Sequence, residues 1–226
     1  MGQTSMNIIY EDKDILAVHK PAGLATQSAG IGQKDLVSEA LTYIKRSGVK
    51  KPYIGVIGRL DQPVEGIVLM AKTPEAAGVL SKALKENRIE KYYEARVIGV
   101  PDEASGRFTD HMKKAVKGNL SQVCDSSDPE AKEAVLEYEV TASSEIATGE
   151  EVIKTSLLRI HLITGRHHQI RLQLAARGFP IIGDRKYGSE KAVAVADKLG
   201  ERNVALKCVS LSFPHPSTGK EIRLEA

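Results

Sequence analysis

The sequence predicts a mixed α/β (α+β) domain with a largely antiparallel sheet flanked by helices. Three observations carry this reading: short apolar strand runs that follow one another across tight turns, capped amphipathic helical segments between them, and no regular strand–helix alternation of the kind that builds a parallel sheet. Ile8-Ile9-Tyr10 and Ile15 to His19 read as two strands joined at Asp12-Lys13-Asp14, and Lys20-Pro21-Ala22-Gly23 stops the second. Asp35 is placed to cap a helix whose Leu36, Val37, Ala40, Leu41 and Ile44 have helical spacing and which Gly48 ends. The unbroken apolar run Ile67 to Ala71 reads as a buried strand, and Thr73-Pro74-Glu75 starts a helix running to about Asn87. Lys91 to Gly99 alternates as a strand with Tyr93, Ala95 and Val97 on one face. Weaker strands are expected near 106–110, 119–124 and 132–141, an exposed loop over Ser143 to Glu151, and another strand over Leu157 to Ile163. A helix follows near His168 to Arg177, a second helical stretch spans about 189–199, and two strands flank Pro214 to Gly219.

At 226 residues, with 42% hydrophobic and 27% charged residues, the chain has the make-up of a soluble globular protein able to bury a sizeable core. No apolar run reaches the roughly 20 residues of a membrane span, and Met1 to Met6 lacks the pattern of a signal peptide. Two distant cysteines, Cys124 and Cys208, suggest reduced thiols, so the expected location is the cytoplasm, without contact to a membrane. The net charge of +3 conceals segregation: residues 125–151 hold nine acids against Lys132, whereas 154–191 hold eight lysines and arginines against Asp184 and Glu190. Opposite solvated faces would suffice to explain this, but a basic stripe that meets a catalytic loop favours a polyanionic substrate.

Several chemistries are disfavoured. His161, His167 and His168 cluster without a Cys, Asp or Glu at ligand spacing, so no metal is expected. The chain lacks a phosphate-binding loop, a dinucleotide glycine fingerprint and a nucleophile elbow, so no cofactor is expected either. What stands out is Gly58-Arg59-Leu60-Asp61-Gln62-Pro63-Val64-Glu65-Gly66, an acid and a cation in a loop before a buried strand. Asp61 there is either a turn residue bonded to its own backbone, a mate for Arg59, or a reactive group. Tyr93 alone would read as a core tyrosine. Arg171 sits among Ile170, Leu172 and Leu174, and a buried arginine needs a carboxylate partner, for which Asp61 is one candidate.

These segments together resemble the RluA-type RNA pseudouridine synthases over nearly the whole chain. The matching motifs are Ile9-Tyr10-Glu11-Asp12 to Lys20-Pro21-Ala22-Gly23-Leu24; Arg59-Leu60-Asp61 with Gly66; Lys91-x-Tyr93-x-Ala95-x-Val97-x-Gly99; Gly165 to Arg171; Gly178-x-Pro180-Ile181-x-Gly183-Asp184 with Tyr187-Gly188; and Leu211-x-Phe213-x-His215-Pro216-x-Thr218-Gly219. The resemblance implies the pseudouridine synthase catalytic fold, expected as a single domain over residues 1–226; many relatives carry a small RNA-binding domain before it, which is not expected here because so few residues precede the first strand. It implies conversion of uridine to pseudouridine in structured RNA, ribosomal or transfer; separately, a monomer is expected. Asp61 would act on the sugar, Tyr93 would stack on the uracil and is a candidate for the final proton removal, and Arg171 would position Asp61. Arg59 would fill the stack vacated by the flipped nucleotide, and Arg166, His168 and Gln169 would contact RNA. Departures from the family pattern are Gly58 where histidine is usual, Val64-Glu65 in place of Thr-Ser, and Gln173 where histidine is common. A non-catalytic RNA binder on the same scaffold is the alternative from another class. A glycosidase lacks its usual carboxylate pair here.

Overall fold

A computed structural model describes residues 6–28, 33–149 and 151–226. In chain order its elements are β1 (Asn7–Glu11), β2 (Ile15–Lys20), α1 (Leu36–Arg46), β3 (Gly55–Val56), β4 (Glu65–Ala71) and α2 (Pro74–Lys85). There follow β5 (Glu90–Ile98), β6 (Ser105–Lys114), β7 (Ser121–Cys124), β8 (Lys132–Thr148) and β9 (Glu151–Leu162). The chain closes with α3 (Gln169–Ala176), α4 (Glu190–Leu199), β10 (Leu206–Pro214) and β11 (Glu221–Glu225). The β-structure is largely antiparallel, so the mixed α/β class holds. The chain forms two compact units, one of residues up to Glu90 together with Cys208–Ala226, the other Lys91–Lys207.

In the first unit the strand order is β1-β2-β4-β10, with β3 on β4 and β11 on β10. The expected β1–β2 turn forms because Asp12 Oδ1 accepts the backbone amides of Asp14 and Ile15, both at 2.8 Å. Asp35 and Ser38 make a reciprocal capping box on α1, which buries Leu36, Ala40 and Ile44. Thr73 caps α2 through the Ala76 amide, and the helix closes at Lys85, slightly before the expected end, since Asn87 takes a left-handed φ of 54°. β3, at two residues, is too short to show a pattern and was not anticipated.

In the second unit the order is β5-β9-β8-β6-β7. Tyr93, Ala95 and Val97 are all buried, as the alternation of β5 requires. The expected loop over Ser143 to Glu151 is corrected. β8 and β9 stay paired through Ser143↔Ser156, Glu145↔Lys154 and Thr148↔Glu151, and Glu150 lies outside the described residues. A register shift between Val140 and Ala142 breaks the period-2 alternation, and the outer strand is exposed and polar, so local pattern concealed a pairing set by the partner strand. Thr141 Oγ1 to Leu157 O at 3.1 Å and the Ser144–Thr155 hydroxyl pair at 2.9 Å bind the extension.

β4 is buried almost throughout, and Gly66 sits where it must be glycine. Its φ is +119°, and a Cβ there would lie 2.2 Å from the Cys208 carbonyl oxygen and 2.5 Å from its nitrogen. Gly66→Ala is therefore expected to cost at least about 3 kcal/mol in chemical denaturation, because backbone on both sides must move. Gly58→Ala, whose Cβ meets nothing within 4 Å, is the matched control and should change stability little.

Candidate active site

The Asp61 loop is clamped on both sides of the aspartate. Before it, the Thr26 hydroxyl donates to the Leu60 carbonyl at 2.8 Å and accepts the Leu60 amide at 3.2 Å. After it, the Gln62 carbonyl accepts the Gly23 amide at 2.8 Å, and Gln62 Nε2 returns a bond to the Gly23 carbonyl at 3.0 Å. Leu60 and Val64 are buried, so the loop is pinned by apolar anchors as well. Asp61 itself is half-buried and Arg59 is exposed. A short polar residue thus projects from backbone that has little freedom, which is the mount a reacting carboxylate requires.

Beneath the loop lies Lys20, wholly buried at the end of β2. Leu16, Val18 and Lys20 share one strand face, so the lysine follows an apolar stripe inward. Its ammonium donates to the carbonyls of Leu24 (2.7 Å), Pro21 (3.1 Å) and Gln62 (3.2 Å), using all three of its hydrogens. Burial pulls its pKa down to about 8, while the carboxylates of Asp61 and Glu65 push back up. Glu65 is one of the family departures, and here it contributes negative charge near Lys20. Gly58, another departure, leaves open space.

In the second unit Arg171 is 3% exposed on α3 and its guanidinium forms a fork with Asp184, Nε to Oδ2 at 2.7 Å and Nη2 to Oδ1 at 2.8 Å. The sequence pointed only to Asp61 as a carboxylate for Arg171, whereas the fold supplies Asp184, which the Gly178 to Asp184 motif contains. Burial pushes the Asp184 carboxyl up, but the bonds and charge of Arg171 and the amides of Lys186 and Tyr187 outweigh it and hold its pKa below the usual range. The turn that makes this possible needs Gly188, whose added Cβ would come within 2.0 Å of the Asp184 carbonyl oxygen. Tyr187 lies with its ring 5.3 Å from the guanidinium carbon of Arg171. Its hydroxyl accepts the Ser121 amide at 2.7 Å and bonds His168 Nδ1 at 2.9 Å.

The turn before α3 is equally constrained. His168 has a left-handed φ of 54°, is buried, and stacks on His167 at 3.7 Å between ring centroids. Gln169 is buried, and its carbonyl accepts from Thr164 Oγ1 (2.8 Å) and the Arg166 amide (2.9 Å). Its amide donates to the Val135 carbonyl (3.1 Å) and to Gln173 Oε1 (3.0 Å). The side chain's hydrogen-bonding capacity is thus spent inside the protein, and the structure gives Gln169 the work of shaping the turn. Gln173 passes the chain on to Asp110, which Arg177 also binds. Arg166 is exposed, with Nε held by the Glu133 carbonyl at 2.7 Å. Tyr93 is 7% exposed on β5 opposite Ile160.

One group of potential metal ligands occurs among the described residues: Asp12, Asp14 and His215. His215 Nδ1 accepts the amides of Ser217 and Thr218, both at 3.2 Å, so Nε2 carries the proton and donates to Asp12 Oδ2 at 2.7 Å. Asp14 accepts the Ser217 hydroxyl at 2.5 Å. The cluster ties the β1–β2 turn to the segment after β10. Of the two cysteines, Cys124 is half-buried and Cys208 is buried.

Two outcomes follow from the buried charges. Asp184→Asn should destabilise the protein by about 3–5 kcal/mol at pH 7, because Arg171 stays charged and buried. Asp184 is depressed in the fold, so its contribution is present above the ordinary carboxylate pKa and lost as pH falls through the lower folded value. Urea denaturation should accordingly show the gap between wild type and Asp184→Asn closing below about pH 4. Lys20 also makes stability rise with pH, but in an alkaline window and because burial disfavours its charged form. Its folded pKa lies below the unfolded one, so the unfolded chain holds a proton that the fold has released between about pH 8 and the ordinary lysine value near 10. The wild type should gain stability relative to Lys20→Met across that interval.

The chain matches the family model described as RNA pseudouridylate synthase over residues 14–176. It is 32% identical over 225 residues to ribosomal large subunit pseudouridine synthase C of Rickettsia bellii, covering 99% of this chain and 68% of that protein. It is 33% identical over 229 residues to ribosomal large subunit pseudouridine synthase D of Vibrio cholerae (98% and 67% covered), and 32% identical over 225 residues to tRNA pseudouridine synthase C of Yersinia pestis (98% and 86%). Among solved structures, human RNA pseudouridylate synthase domain containing 4 shares the fold with a TM-score of 0.75 at 22% identity, covering 97% of this chain and 87% of that one. With motif order, fold and relatives in agreement, the chain belongs to the RNA pseudouridylate synthases of RluA type, isomerases that convert uridine in RNA to pseudouridine.

Proposed function

We propose that this protein isomerises particular uridines in ribosomal or transfer RNA, in the cytoplasm, as a monomeric catalytic domain without cofactor or metal, with Asp61 as the reacting group. The observation that carries the assignment of Asp61 is its mount: the residues on either side are clamped by Thr26, Gly23 and Lys20, and the Lys20 ammonium supplies a nearby positive charge. The relatives named for the large ribosomal subunit and for transfer RNA support both substrate classes.

A uridine stacked in RNA cannot turn and rebond through carbon, so the nucleotide leaves the stack first. Arg59, exposed beside Asp61, is the residue to occupy the vacated space. The Asp61 carboxylate bonds to C1′ as the C1′–N1 bond breaks and the uracil departs with the electron pair. The ring turns, C5 bonds to C1′, and the carboxylate is released. Loss of the C5 proton to a base and gain of a proton at N1 complete pseudouridine, with atoms and charge in balance. A route through a glycal, with proton loss from C2′, employs the same carboxylate. Tyr93 provides the ring for uracil to stack on, and its hydroxyl is the candidate base for C5. Arg171, locked by Asp184, holds a fixed positive charge for the carboxylate. Among the residues of the arginine turn, Arg166 is the RNA contact best supported, since it is exposed while His168 and Gln169 are buried in bonds of their own.

Asp61→Asn, incubated with bulk unmodified RNA, should form no mapped pseudouridine while keeping the fold and most RNA affinity; normal turnover would refute the assignment. Tyr93→Phe should keep stacking but lower the rate by about 10²-fold or more if the hydroxyl takes the proton, and an unchanged rate would exclude that role. If the unmutated protein binds the RNA and modifies none of it, the non-catalytic reading is favoured.

A further inference from the structure

The second unit carries a feature that none of these steps uses, the turn joining β6 to β7. From His111 to Cys124 the sequence contains three lysines and no acid. Lys113 is taken by Asp128. Lys114 and Lys117 are exposed and make no ion pair among the described residues, and Val116 between them is fully exposed. Gly118 and Asn119, with φ of 80° and 47°, reverse the chain, and the Ala115 amide closes the turn on the Leu120 carbonyl at 2.9 Å.

This hairpin is fastened to the arginine-motif segments. Lys186 Nζ, next but one to Asp184, donates to the Asn119 carbonyl at 3.2 Å and keeps two hydrogens for other acceptors. Ser121 donates its amide to the Tyr187 hydroxyl at 2.7 Å and its hydroxyl to the His167 carbonyl at 2.7 Å. Lys114 is the register partner of Ser121 and so lies on the same sheet face, the one bonded to the turn before α3. One turn thus carries exposed Lys114, Lys117 and Val116, and Lys186 is bonded to the backbone of the same turn. A surface already ordered loses little entropy on binding, and cations with no acid beside them gain most from a polyanion.

We propose that Lys114, Lys117 and Lys186 form a phosphate grip for structured RNA, distinct from Arg59 and Arg166, with Val116 laid against ribose. The inference rests on RNA being the substrate. The test uses an unmodified in vitro transcript of large-subunit ribosomal RNA and the full chain carrying Lys114→Ala, Lys117→Ala and Lys186→Ala together. A control variant removes the same charge at exposed Lys45, Lys50 and Lys51. Affinity is measured against potassium chloride concentration. The grip predicts a loss of about ten-fold or more near physiological salt and a log–log salt slope shallower by about 2–3, one counterion-release step per lysine. Single-turnover rate at saturating protein should stay at the wild-type value, and arginine at the three positions should restore the slope. Wild-type affinity and slope in the triple variant, or an equal loss in the control, would overturn the grip. Failure of the enzymatic reading shows separately, as a wild-type protein that leaves no pseudouridine in any RNA tested.

Discussion

A buried ammonium holds the loop that carries Asp61, the residue proposed to react. Lys20 gives its three hydrogens to three carbonyls, two in the chain that follows β2 and one in the residue after Asp61. Burying a charge in this way is unfavourable unless every bond is made, and that penalty is what gives the loop a single arrangement. The depressed pKa, near 8, records the cost of burial that the carbonyls and the acids Asp61 and Glu65 must offset. A loop tied by backbone hydrogen bonds alone would be free to breathe; one tied to a buried cation is not.

The second unit uses the same device with the sign of the scaffold reversed. Asp184 accepts two guanidinium nitrogens and two backbone amides, and stays ionised although buried. Arg171 is in turn oriented by the acid, by the Tyr187 ring and by its place on α3. Around it Gln169, Gln173 and His168 pass hydrogen bonds from strand to turn to helix, leaving no buried side-chain nitrogen or oxygen unpaired among the described residues. Satisfied polar networks of this kind specify one geometry, which suits a residue meant to carry a fixed charge.

Much of this was legible in the sequence. Capped helices such as α1 and α2 and the strand faces of β2, β4 and β5 followed from local pattern, because capping boxes, proline at a helix start and period-2 burial are local in cause. The outer half of the β8–β9 pair was not legible, since its pairing is held by cross-strand partners and a register shift rather than by apolar alternation. In the proposed site, loop punctuation drew attention to Asp61, and a cation among apolar neighbours marked Arg171, which the fold does bury against a carboxylate. Asp184 and Lys20 were missed as working parts. Their partners are a side chain 13 residues away and a carbonyl 42 residues away, and nothing in composition marks such pairings. Lys20 did leave one trace, a lysine in register with the inward face of an apolar strand. Gln169 shows the converse: the motif alone invites an RNA contact, whereas the geometry spends its amide on the turn.

If the ammonium under the loop is what positions Asp61, its removal must slow the chemistry without loosening the RNA. The direct measurement is the single-turnover rate of pseudouridine formation by Lys20→Met at saturating protein, alongside its RNA dissociation constant. The account predicts a rate at least about ten-fold below wild type with the dissociation constant unchanged. A wild-type rate in a folded Lys20→Met protein would contradict it.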